Sequence, residues 1–235
     1  MGSAAGWVWS IIHPLVLLAS YTFIFHSLGQ KLTGQLTTNY PLHLFAGMLP
    51  WLLFSETVLR SAGSIVEQAN LITKTMFPSE IIPVSIFLSS LTSNLLVTVL
   101  MAVASAVILG HVNPMLVELP LYVVAVGLFA VGIGWMAAAL QVYLRDTAQL
   151  VVVVMTFWFW LTPIFITEGQ IPARVHWIVL WNPLTYVVRA YRMMLLGTAA
   201  PPLRDLAAAG AFGVVAFVCG GLFFRYMKKG FADVL

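Results

Sequence analysis

The sequence predicts an all-α, polytopic membrane protein with six transmembrane helices, and three observations carry that prediction. Of the 235 residues, 61% are hydrophobic and only 8% are charged. The mean hydropathy is +0.98. Long uncharged intervals, each able to hold a spanning helix, recur along the whole chain. A soluble domain carries roughly 25% charged residues because charge solvates its surface. A bilayer solvates apolar side chains directly and removes that need.

Each span follows from cutting the chain at its charges, since a spanning helix needs about 20 residues with few or none. No charge precedes Lys31, and 7–28 is a continuous apolar stretch. It is too long for a signal-peptide core of about 7–15 residues and lacks a positive flank, so it is expected to remain as span one. The interval from Lys31 to Glu56 leads into a second span at about 42–62. Glu80 to Glu118 encloses a third at about 84–109, followed by a polar turn at 110–113. The remaining intervals give spans at about 119–142, 148–167 and 206–224, all within one transmembrane domain covering 1–235. Between Arg174 and Arg189 lies an apolar segment too short to cross, interrupted at Asn182-Pro183. Short, broken, aromatic-rich segments read as re-entrant or interfacial helices.

Six spans put both termini on one side. With cytoplasmic termini the inside holds six basic residues, Arg60, Lys74, Arg145, Arg225, Lys228 and Lys229, and the outside five: Lys31, Arg174, Arg189, Arg192 and Arg204. The count is nearly even, but the rule weighs short flanks most, and the cluster directly after the last span favours a cytoplasmic C-terminus.

Several function classes lack their marks. No G-x-x-x-x-G-K-[ST] phosphate loop occurs, so ATP binding, with its magnesium, is not expected in this chain. The five histidines are isolated and no paired-cysteine metal spacing exists, so no metal and no cofactor are expected. No nucleophile–base constellation suggests catalysis. The net charge of +3 is scattered, without the basic run that nucleic acid would require. Cys219, the single cysteine, reads as a small packing residue. Gly127, Gly132 and Gly134 fall inside a span, where small residues let helices approach closely. Few charges lie within the spans, which argues against an ion-coupled carrier. The clear candidates, Glu56 and Arg60, are four apart and can neutralise each other.

Aromatic residues are abundant instead. Span one holds Tyr21 and Phe25 on one face, and span five holds Phe157-Trp158-Phe159-Trp160 before Thr162-Pro163. One reading is an interfacial belt. The other is a channel lined by rings at Tyr21, Phe25, Trp158 and Trp160, on whose faces the C–H surfaces of sugars stack.

The segment 70–83, with Asn70-Leu71-Ile72-Thr73-Lys74 and Phe77-Pro78-Ser79-Glu80, resembles the cytoplasmic loop after span two of ABC type-2 permeases. Gly6-Trp7-Val8-Trp9 with His13-Pro14 is similar to that family's opening. Tyr143-Leu144-Arg145-Asp146 resembles its turn between spans four and five, and Thr162-Pro163-Ile164 with Trp181-Asn182-Pro183-Leu184 its extracytoplasmic re-entrant region. Lys229-Gly230-Phe231-Ala232-Asp233 is similar to its C-terminus. The closest branch exports polysaccharides: O-antigen, capsule or teichoic acid. Members usually begin with an amphipathic interfacial helix, for which residues 1–5 are too few.

The resemblance implies a permease subunit in the bacterial inner membrane, both termini cytoplasmic, moving lipid-linked polysaccharide. It implies a homodimer forming one channel among membrane lipids, with two ABC ATPase subunits docked below and ATP and magnesium held by them. Export of teichoic acid, or of a smaller amphipathic drug or glycolipid, is the alternative. Coupling to the ATPase is expected at Glu67, Asn70, Leu71, Lys74, Phe77 and Pro78. An extracytoplasmic gate is expected at Trp177, Trp181, Asn182, Pro183, Arg189 and Arg192, with the two arginines offered to headgroups or to the diphosphate of a lipid carrier.

Overall fold

Helices follow one another along the described chain, joined by turns of which several contain a proline. The computed structural model describes residues 40–74, 78–165, 168, 171–197 and 199–231, with isolated positions at 12, 16, 20 and 23; the side chains of 71, 73, 74 and 175 are outside that set. The expected span 7–28, with Tyr21 and Phe25, therefore lies outside the described residues, as does Phe77.

Helix α1 (Tyr40–Glu67) descends from an upper to a lower end of the molecule. The short α2 (Ala69–Lys74) follows it, and α3 (Ile81–Leu109) climbs back. Gly110 ends α3 in the left-handed conformation, φ 76°, where a glycine pays no Cβ penalty. A 3-10 turn (Pro114–Glu118), capped by the Asn113 side chain accepting from the Met115 N–H, leads into α4 (Leu119–Tyr143). Then come α5 (Thr147–Leu161), α6 (His176–Trp181), α7 (Pro183–Leu196) and the long α8 (Leu203–Met227). Four described helical stretches, Tyr40–Glu67, Ile81–Leu109, Pro114–Tyr143 and Leu203–Gly230, are long and apolar enough to cross a membrane. Among the described residues all regular structure is helical.

The span expected at 148–167 is shorter than the charge pattern suggests. Helix α5 stops at Leu161, because Thr162 precedes a proline and is extended, φ −86° and ψ 131°. Its 15 residues reach about 22 Å.

Helices α1 and α4 form the interior. Leu44, Leu49, Leu53, Phe54 and Val58 of α1 are fully enclosed, and Phe54 stacks on Phe129 of α4 at 5.2 Å. Pro50 removes one backbone donor within α1. Beside it, Asn94 of α3 donates to the Leu49 carbonyl at 3.0 Å, a polar bond that ties the two helices.

Small residues bring α4 and α8 together. A Cβ on Gly132 would overlap the backbone of Ala216, one on Gly220 would overlap the backbone of Gly132, and one on Gly213 would lie 2.7 Å from the Ala125 carbonyl oxygen. The two backbones thus touch over about two turns, a spacing that requires glycine at these three positions. At the lower end, Tyr143 donates to the Met227 carbonyl at 2.7 Å and Lys228 binds both carboxylate oxygens of Glu80, at 2.9 and 2.8 Å.

Candidate functional site

The expected gate residues meet at the upper end, where α5, the α6–α7 break and the start of α1 converge. The break is made by Asn182, which is extended (φ −88°, ψ 109°) because Pro183 follows it. Pro183 then occupies the first helical turn of α7, where its missing N–H costs nothing.

Asn182 is buried and uses both ends of its amide. Its Oδ1 caps α7 by accepting from the Leu184 N–H at 3.1 Å and also accepts from the Trp158 indole at 3.1 Å. Its Nδ2 donates to the Thr162 hydroxyl at 2.9 Å, and that hydroxyl donates to the Trp158 carbonyl at 3.0 Å. One side chain therefore joins the end of α5 to the start of α7. Asn182→Ala should lower the stability of the purified protein by roughly 1–2 kcal/mol, as a lost helix cap does. Asn182→Asp, which keeps both acceptor bonds but buries a carboxylate against the Thr162 hydroxyl oxygen, should lose at least as much. Thermal unfolding of the three proteins checks this; an unchanged midpoint for Asn182→Ala would refute it.

The two arginines of α7 are both committed internally. Arg189 donates through Nε to Glu168 at 2.8 Å and through Nη1 to Asp205 at 2.9 and 3.0 Å, and Nη2 also pairs with Glu168. Asp205, in the first turn of α8, is wholly buried. Arg192 spends its fork on backbone carbonyls: Nε on His43 at 3.2 Å, Nη1 on Pro163 at 2.8 Å, and Nη2 on Ile164. Gly47 makes room for it, since a Cβ there would stand 2.8 Å from Nη2. Arg192 thus pins the turn after α5 to the first turn of α1. The expectation that these arginines face headgroups or a carrier diphosphate meets a different arrangement: their donors go to the buried Asp205, the partly exposed Glu168 and backbone carbonyls.

The aromatic residues divide. Trp158 and Trp160, two apart on a helix, point to different sides. Trp158 packs inward, 5.4 Å from Phe54 and 5.9 Å from Phe129, and its N–H is bound to Asn182. Trp160 is 62% exposed and stacks on Phe165 at 5.2 Å; Phe157 is exposed as well. Trp177 and Trp181 of α6 are exposed, while Asn182 and Pro183 are buried. The residues that sequence reasoning missed are Glu168 and Asp205. They served as span boundaries; a search for acids able to balance Arg189 within the same loop region would have raised them.

At the lower end, Glu67, Asn70 and Pro78 are exposed, and Leu71 and Lys74 belong to the α2 backbone. Glu56 and Arg60 form an exposed pair at 3.0 Å, with Arg60 also donating to the Ser90 hydroxyl at 3.3 Å. Glu80 feels opposing influences: burial raises its pKa, but the Lys228 hydrogen bond and nearby charge hold it below the usual carboxylate value.

The described residues thus form an all-helical structure with four stretches long and apolar enough to cross a membrane, a broken, internally hydrogen-bonded segment at one end and a short helix at the other. Residues 2–196 match the model of the ABC-2 type transporter family, and the chain belongs to that family. It is similar to the O-antigen export system permease protein RfbA of Klebsiella pneumoniae, 28% identical over 99% of this chain and 88% of the relative. The protein of the same name from Myxococcus xanthus is 27% identical, with the same two shares covered.

Proposed function

We propose that this chain is the transmembrane permease subunit of an ABC exporter that moves a lipid-linked, O-antigen-like polysaccharide across the bacterial inner membrane. The observation that carries this reading is its alignment, over 99% of its length, with permeases named for O-antigen export. The chain is a transport subunit without a nucleotide site of its own; ATP and magnesium belong to a separate ATPase subunit. Two copies form one channel, each contributing six spans, with span one supplied by 7–28. Span five contributes its exposed rings, Phe157 and Trp160, to the pathway, whereas Trp158 acts through the scaffold.

The lower end faces the cytoplasm. The sequence places six basic residues on the inside and five on the outside. Arg189 and Arg192, two of the five at the opposite end, are held by internal carboxylates and carbonyls. Arg145, Arg225 and Lys229 are exposed at the lower end, as are Arg174 and Arg204 at the other, and the basic cluster directly after the last span supports a cytoplasmic C-terminus.

Helix α2 is the contact with the ATPase. A subunit without a phosphate loop must receive its driving energy through a contact whose geometry changes when the partner binds ATP. Glu67, Asn70 and Lys74 supply a polar face, Leu71, Ile72 and Phe77 apolar anchors, and Pro78 the stop before α3. In a reconstituted complex, Phe77→Ala or Lys74→Glu should abolish ATPase binding or uncouple hydrolysis from export. Normal assembly and normal coupled export in both variants would overturn the assignment. Deleting the gene should cause a lipid-linked glycan to accumulate on the cytoplasmic side; accumulation of a smaller amphipathic molecule instead would redirect the substrate.

A further inference from the structure

A cavity of about 600 Å³ opens between α4 and α8 at the lower end, well away from the Asn182 and arginine cluster. Its walls are apolar at Trp135, Phe217 and Leu222, and its rim is polar at Glu80, Arg225 and Lys228. The α8 residues Phe217, Gly221 and Arg225 are spaced four apart, so they lie in one row down a single helix face. The row runs from ring to cation over about 12 Å. Trp135 forms a wall because its indole N–H is held by the Glu80 carbonyl at 2.9 Å and its ring packs on Phe217 at 4.7 Å.

The rim carries surplus positive charge. Lys228 is committed to Glu80 through both carboxylate oxygens. Arg225 is exposed and, among the described residues, hydrogen-bonds or ion-pairs with no acidic side chain. Lys229 is exposed one residue beyond Lys228.

We propose that this cavity binds an anionic phospholipid, its phosphate on the Arg225 guanidinium and its upper acyl segment against Trp135, Phe217 and Leu222. The volume lies within the range of small-molecule sites, about 300–1,000 Å³. A guanidinium fork matches two phosphate oxygens at once, and basic pockets between spanning helices select anionic headgroups. The Glu80–Lys228 pair sets the rim and leaves Arg225 to recognise the lipid. A second copy of this chain is the poorer occupant: a two-fold contact on this face would bring the same cationic rim from each subunit together. The proposal does not depend on what the transporter exports.

The test uses the full chain purified in detergent and titrated with dioleoyl phosphatidylglycerol or dioleoyl phosphatidylcholine, with bound lipid counted by native mass spectrometry. Phosphatidylglycerol should be retained over phosphatidylcholine. Arg225→Gln should weaken phosphatidylglycerol binding about fivefold, the effect of one basic side chain at a lipid surface, and Arg225→Lys should restore part of it. Gly221→Leu should expel either lipid, because a Cβ there already meets the Trp135 ring at 3.3 Å. Thermal unfolding reports whether each variant is folded; if Gly221→Leu is not, Arg225→Gln decides alone. Equal retention of the two lipids, or undiminished phosphatidylglycerol binding by Arg225→Gln, would overturn the proposal. So would an intersubunit disulfide through Leu222→Cys in a Cys219→Ser background, since a second copy would then fill the site.

Discussion

Replacing Gly132 by alanine is expected to cost about 3 kcal/mol or more and to remove most folded protein, although alanine is the better helix former. The added methyl would overlap the Ala216 carbonyl and the Phe217 amide. These are backbone atoms, so no rotamer change relieves the overlap and the helices must separate. Separation would in turn strip Gly213 and Gly220 of their contacts along the same seam. Gly220→Ala, aimed at the Gly132 backbone from the other side, should behave alike. Gly210→Ala is the control: a Cβ there meets nothing within 4 Å, and the substitution should be neutral or stabilising by up to about 1 kcal/mol. Monodisperse yield and thermal midpoint, measured for all three, settle the matter. Equal behaviour of Gly132→Ala and Gly210→Ala would show that the helices do not approach this closely.

The second large effect is expected at Arg189. Arg189→Met removes the cation that joins Glu168 to the buried Asp205 and leaves Asp205 only the exposed Arg204 at 3.7 Å; breaking a buried pair costs about 3–5 kcal/mol. Removing the carboxylates as well should be less harmful than removing the arginine alone. A triple variant, Arg189→Met with Glu168→Gln and Asp205→Leu, should therefore recover much of the lost stability. The comparison distinguishes a buried ionic knot from an arginine reserved for an external diphosphate. In the latter case Arg189→Met would leave thermal stability unchanged and the carboxylate changes would rescue nothing.

Much of the helical framework was legible because few charges exist and most lie at or beyond helix ends. Cutting at Glu80, Glu118 and Arg145 frames α3 and α4 to within a few residues. The same procedure overextended α5. Charge alone carried the expected span to 167, just short of Glu168, yet Thr162-Pro163 already held the stop signal; backbone sterics act there before charge does. The break at Asn182-Pro183 was legible for that same local reason.

What connects the pieces was not legible. Arg189 lies 21 residues from Glu168 and 16 from Asp205. No helical period relates them, and only the folded loop region brings them together. The aromatic run 157–160 shows the limit from another side. Composition marks it as important, but the contrast between Trp158, bound inside, and Trp160, exposed, depends on where Phe54, Phe129 and Asn182 stand. Gly132 was read as a packing residue, but its opposite number on α8 could not be named from sequence.

The brevity of α5 bears on the membrane around it. Its 15 residues reach about 22 Å, while the hydrocarbon layer is about 30 Å thick. Over the missing height the chain continues as the turn at 162–165, which is buried, as is the proline break at Asn182-Pro183. Such a shortfall is met by local bilayer thinning. If the proposed export pathway runs beside α5, a hydrated chain there would cross a thinner water-excluding layer than beside the four longer described helices.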